Sequence, residues 1–190
     1  RRRFATSRGA VVDFTCLACH AVQPASPRVW RCARCSGVLD VVERVRFSPD
    51  LIVARDPSLW RYRAMIGLPE GAIPVSMGEG MTPLVPATFG GRQIHFKLEY
   101  QAPTGAFKDR GTSVLVTALK AWGVARAADD SSGNAGASFA AYAAHAGIAA
   151  EVFAPAHASP AKLAQIEIYG ATLHRIEGVR EMTTDALEAA

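Results

Sequence analysis

The chain has 190 residues, 49% hydrophobic and 20% charged, enough for one substantial core with a small appended module and too apolar for extended disorder. No apolar run reaches the ~18 residues of a membrane helix; the nearest, 137–156, is broken by His145, Gly147, Glu151 and Pro155, so a soluble protein is expected. The net charge of +4 is uneven: residues 1–50 hold nine Arg against four acids (+5), and residues 51–190 hold twelve bases against thirteen acids (−1).

The excess sits in Arg1, Arg2, Arg3 and Arg8 and in a short module behind them. This basic arm reads as a solvated terminus, with a nucleic-acid arm or the remnant of a targeting peptide as alternatives. The chain opens without Met and stops inside a helical pattern, so both ends are expected to be cut. Residues 1–48 contain all four Cys and short β-like runs at 11–14 and 38–47, and form one module. Residues 49–75 read as a linker, most clearly from Pro49 to Pro57. The Gly- and Pro-rich stretch from Pro69 to Pro86 predicts loop. Ile94, Phe96 and Leu98 then alternate with His95, Lys97 and Glu99, which predicts a half-buried strand.

From there strands and helices alternate. Helices are expected at 108–122, ended by Gly123, at 134–146, ended by Gly147, at 160–169, ended by Gly170, and from Val179 onward. Strands are expected at 124–130, at 149–154 and at 171–176, the first unusually polar for a parallel sheet. This order predicts an α/β fold with a parallel sheet over 76–190, with ligands at the C-terminal ends of its strands.

Cys16, Cys19, Cys32 and Cys35 form two Cys-x2-Cys pairs separated by twelve residues. Such knuckles point four sulfurs at one ion, and a zinc ion stripped of water needs four donors in a tetrahedron. Two disulfides or a redox pair would use the same residues, but the enzyme-like features downstream and the lack of a secretion signal favour zinc. A four-Cys site is closed and therefore structural. Arg28, Arg31 and Arg34 are expected to help keep the thiols ionised. Ribbons of this kind also bind nucleic acid or protein, and the positive balance keeps that option open.

Lys108 stands at a loop-to-helix junction in Pro-Thr-Gly-Ala-Phe-Lys-Asp-Arg-Gly (103–111), and Ser131-Ser132-Gly133-Asn134-Ala135-Gly136 lies between a strand and a helix. Alone, each has an ordinary explanation: a solvated helix start, and a tight turn with Asn as N-cap. Together, a lysine on one loop and a small-residue loop after the following strand describe a carbonyl cofactor held through the lysine amine, with Asn134 bonding an oxygen substituent.

These motifs, with Gly78-Glu79-Gly80-Met81-Thr82-Pro83-Leu84 and the run from Lys162 to Ala171, resemble the fold-type II pyridoxal-phosphate enzymes (tryptophan synthase beta-like), and among them the threonine synthase family most closely. The resemblance covers about residues 76–178, and some family members also carry a four-Cys N-terminal segment. It implies Lys108 as the lysine that holds pyridoxal 5'-phosphate and Asn134 as the partner of its 3-oxygen. Ser131, Ser132 and Gly133 would face the substrate carboxylate, with Thr82 a further substrate-side residue. It implies that O-phospho-L-homoserine displaces Lys108 from the cofactor, that the freed amine moves protons at the α and β carbons, that phosphate leaves the γ carbon, and that water adds at the β carbon. Cysteate synthase and serine/threonine dehydratases share the same lysine and loop, and a ribbon-type nucleic-acid-binding module on a degenerate scaffold is the alternative of another class. A cytoplasmic homodimer is expected, acting on a small molecule, with no membrane or nucleic-acid partner. The loop for the cofactor phosphate and the partner of the pyridine nitrogen are expected beyond residue 190, so this segment alone should bind cofactor weakly.

His145, His157 and His174 have no carboxylate or Ser at a spacing that suggests a triad. Asp129 and Asp130 are neighbours on a strand and point to opposite faces. Trp30 and Trp60 are expected to pack against the ribbon and linker.

Overall fold

The computed structural model describes residues 12–42, 46–131 and 133–190. The basic arm, Val11 and Ser132 lie outside the described residues.

The N-terminal module is a three-stranded antiparallel sheet in the order β2-β1-β3, formed by β1 (Asp13–Cys16), β2 (Val22–Pro24) and β3 (Leu39–Val41). Three residues are too few for alternation to show, which is why β2 is invisible in the sequence. The following stretch contains two 3-10 turns, Pro49–Leu51 and Leu59–Met65. The second is capped by the Ser58 hydroxyl, which accepts from the Trp60 amide. Trp60 is buried, with its Nε1 donating to Glu79 and Ser113, while Trp30 is 63% exposed.

β4 (Leu84–Phe89) and β5 (Arg92–Lys97) form an antiparallel hairpin closed by Gly90 and Gly91, whose φ angles are 57° and 76°. That left-handed pair matches a two-residue hairpin turn. The prolines at 83 and 86 read as loop and hide β4, yet a two-stranded ribbon leaves an unpaired side where Pro86 needs no amide. β5 was expected to be half-buried, but no third layer covers it among the described residues and Phe96 is 47% exposed.

The body comprises α1 (Lys108–Ala121), β6 (Arg126–Asp129), α2 (Asn134–Ala146), β7 (Ala149–Pro155), α3 (Pro160–Ile168), β8 (Thr172–Ile176) and α4 (Glu181–Ala189). The three strands are parallel in the order β6-β7-β8. β7 is central and its Val152 and Ala154 are fully buried. β6 is an edge strand among the described residues, so its polar Arg126 and Asp129 are tolerated. α2 is buried along most of its length because its Ala-rich surface lets it approach both α1 and α3 closely. It ends on Gly147 in the left-handed conformation, φ 76°. Val116, Tyr142, Val152, Leu163 and Ile166 are at the centre of the core cluster. No helix among the described residues is long and apolar enough to cross a membrane.

Candidate active site and cysteine cluster

The short connection from α1 to β6 reverses the chain, as does the one from α2 to β7. The two helices therefore run the same way and bring their N-terminal turns to the C-terminal end of β6. Lys108 is the first residue of α1 and Asn134 the first of α2, with Gly133 rather than Asn134 as the N-cap. Both side chains are exposed. The Lys108 amine lies 5.0 Å from the Phe107 ring centroid, and neither that amine nor the Asn134 amide has a hydrogen bond among the described residues. A free primary amine and a free amide at adjacent helix N-termini suit a carbonyl cofactor with an oxygen substituent, and a helix N-terminus favours negative charge on it. Gly136 shapes the loop above them: a Cβ there would overlap the Ser131 carbonyl oxygen. The Ser131 amide donates to Asp129 at 3.2 Å, and the Gly133 amide to the Ser131 hydroxyl at 3.4 Å. Ser132 lies outside the described residues.

Beneath this surface are two buried carboxylates. Asp109 is completely buried and accepts from the Thr104 amide, the Thr104 hydroxyl and the Ser138 hydroxyl. Glu79, also completely buried, accepts from Trp60 Nε1 at 2.8 Å, Ser113 Oγ at 2.6 Å, Tyr142 Oη at 2.7 Å and the Met77 amide at 2.9 Å. Burial first, and then the Glu79 carboxylate, push the Tyr142 hydroxyl far above its ordinary range, so it remains a donor. This network joins the turn at 58–60 to α1 and α2. Sequence reasoning missed it because its partners are up to 63 residues apart.

Thr82, expected on the substrate side, is buried, and its hydroxyl donates to Glu99 at 2.6 Å. Arg110 grips the same carboxylate through Nε and Nη2, both at 2.9 Å. The Arg110 hydrogen bonds, followed by that from Thr82, hold the Glu99 carboxyl down to about 2. A depressed carboxylate stabilises the fold fully above its unfolded value near 4.5, and that contribution is lost as pH falls toward about 2. Glu99→Gln should lower the thermal midpoint at pH 7 by an amount equivalent to about 1 kcal/mol or less, because the pair is partly exposed and screened. Thermal melts at decreasing pH should show this difference shrinking below pH 4.5.

β6 ends at Asp129, so Asp130 lies past the strand rather than on its opposite face, and Arg180 acts on both carboxylates. Burial, and then the neighbouring Asp130, raise the Asp129 carboxyl. Asp130 pairs with Arg180 at 3.5 Å and accepts from Thr184 at 2.5 Å. His174, isolated in sequence, bonds Glu151 at 2.8 Å and stacks on Phe153 at 4.4 Å, a structural arrangement within the sheet.

The four cysteine sulfurs all lie within 4.8 Å of one another. Cys16 and Cys35 are 3.5 Å apart, and Cys19 and Cys32 are 3.6 Å apart; all four thiols are free. Metal–sulfur bonds of about 2.3 Å in a tetrahedron place sulfurs about 3.8 Å apart, so the cluster has the shape of a metal site. Gly37 permits it, since a Cβ there would sit 3.0 Å from Cys16 Sγ and 3.2 Å from Cys35 Sγ. The Cys19 amide is the main cause that brings the Cys16 thiol down to about 6. Cys35 is pushed up to about 12: the Gly37 amide lowers it, but the Cys19 and Cys16 sulfurs outweigh that amide. Four crowded sulfurs cannot all ionise without a cation among them. The arginines expected to assist are not among these causes; Arg31 instead lies over the Trp30 ring at 4.8 Å.

Residues 75–190, more than half of the chain, match the family described as pyridoxal-phosphate dependent enzyme. The chain belongs to this family. It is 34% identical over 172 residues to a threonine synthase of Methanosarcina acetivorans, covering 86% of this chain and 42% of that protein. That span cannot fit within residues 49–190 and so includes part of the cysteine module. A threonine synthase of Mycobacterium tuberculosis is 42% identical over 122 residues, 62% of this chain and 34% of that protein. The chain spans less than half the length of these relatives. Among solved structures, a pyridoxal 5'-phosphate-dependent aspartate racemase superposes with a TM-score of 0.53 at 30% identity, covering 57% of this chain and 36% of that one. Maize serine racemase gives 0.51 at 28% identity over 57% of this chain and 35% of its own. The body is that of a fold-type II pyridoxal-phosphate enzyme.

Proposed function

We propose that the protein containing this chain is a threonine synthase, converting O-phospho-L-homoserine and water to L-threonine and phosphate. The observation that carries the reading is the similarity to threonine synthases over a span that takes in both part of the cysteine module and the body containing Lys108 and Asn134. The unpartnered Lys108 amine and Asn134 amide at one end of the sheet support it.

Bound pyridoxal phosphate supplies an electron sink for charge developing on the substrate. Lys108 holds it by its amine and, once free, carries protons between the substrate's α and β carbons. Asn134 donates to the 3-oxygen, and the loop of Ser131, Ser132 and Gly133 offers amides and hydroxyls to the substrate carboxylate. Cys16, Cys19, Cys32 and Cys35 hold a structural zinc ion that staples a module too small to bury its own core. The reading implies a cytoplasmic homodimer.

The test is product formation by the full reading frame that encodes this chain. Threonine and phosphate should appear in equal amounts from O-phospho-L-homoserine. If the cofactor binds but this substrate is untouched while phosphoserine, serine or threonine reacts, the protein is a different member of the family.

A further inference from the structure

We propose that Asp109 and Ser138 are positioning residues whose cross-helix hydrogen bond fixes the placement of Lys108 relative to Asn134. This inference rests on the cofactor site proposed above. Asp109 directly follows Lys108, Ser138 lies one helical turn beyond Asn134, and both are completely buried. The Ser138 hydroxyl donates to Asp109 Oδ1 at 2.6 Å. The loop ahead of Lys108 is tied to the same carboxylate, through the Thr104 amide to Oδ2 at 2.7 Å and the Thr104 hydroxyl to Oδ1 at 2.5 Å. Gln165 on α3 completes the frame by donating to the Thr104 carbonyl at 3.1 Å.

One buried carboxylate therefore joins α1, α2 and the loop that leads into Lys108, with α3 attached through Thr104. No cation pairs with Asp109 among the described residues, so directed donors and the N-terminal dipole of α1 compensate its charge. Apart from Asn134 and Ser138, the first two turns of α2 are Ala, Gly and Phe139, and small smooth side chains set no sharp register between packed helices. A hydrogen bond between two dry groups does, because misplacing it leaves a buried carboxylate undersatisfied. Two cofactor contacts on separate helices need such a fixed spacing, since binding at both is lost when either shifts.

The test compares Ser138→Ala with Val116→Ala in the full-length protein. Ser138→Ala removes the hydroxyl without lowering helix propensity, whereas Val116→Ala opens a core cavity in α1 away from the pair. Cofactor affinity is read by visible absorbance titration, stability by the thermal midpoint of the cofactor-free protein, and the lysine that carries the cofactor by borohydride fixation and peptide mapping. Ser138→Ala should weaken pyridoxal phosphate binding at least tenfold while lowering the midpoint no more than Val116→Ala, which should leave affinity within twofold. Unchanged affinity in Ser138→Ala, or an equal loss in both variants, overturns the positioning role while the site reading stands. Fixation on a lysine other than Lys108 in the unaltered protein overturns the site reading and this proposal with it.

Discussion

Lys108→Ala should lower phosphate release from O-phospho-L-homoserine by on the order of a thousandfold or more, because in the proposed function it removes both the covalent anchor and the proton carrier. Lys120→Ala, at the exposed far end of the same helix, should leave the rate within about twofold, since general acid–base effects require a group within hydrogen-bond reach of the reacting atoms. No other lysine is placed to substitute. Lys97 donates to the Thr82 carbonyl, and Lys162 lies on the exposed surface of α3. The rates of purified variants at saturating cofactor check this, and a Lys108→Ala enzyme retaining a tenth of the activity would contradict the assignment.

If the cysteine cluster holds zinc as proposed, removing the metal should unfold the N-terminal module while leaving the body largely folded. The module's strands are three or four residues long, and its Leu17, Val22 and Val38 are exposed, so little apolar burial remains to hold it without the ion. Structural zinc in small modules supplies about 10–16 kcal/mol of apparent binding free energy, which is also folding free energy. Hydrogen exchange across β1 to β3 should rise sharply on chelation and in Cys32→Ser, with core strand β7 little affected. One zinc per chain is expected by elemental analysis. Oxidised thiols with no bound metal would favour disulfides.

The body was legible because its punctuation is strong. Pro160 opens α3, Gly147 closes α2 and Gly123 follows α1, so the expected limits of these helices fall within a residue or two of those observed. β2 and β4 escaped because one is too short to alternate and the other carries Pro86 on a tolerant edge. Lys108, Asn134 and the four cysteines stand out because their chemistry is local in sequence, a motif or a spacing. The buried contacts of Glu79 and Asp109 are tertiary: neither Trp60 nor Ser138 announces its partner. The available signal was a single Ser on an otherwise Ala-rich helix, one turn after Asn134, where a polar group needs a buried acceptor.

The central claim is that Lys108 holds pyridoxal phosphate. The chain contains four lysines, Lys97, Lys108, Lys120 and Lys162, so borohydride fixation followed by peptide mapping distinguishes them cleanly. A stable pyridoxyl group on Lys108 alone is the result this structure predicts. The same group on another lysine, with Lys108 unlabelled, would contradict it.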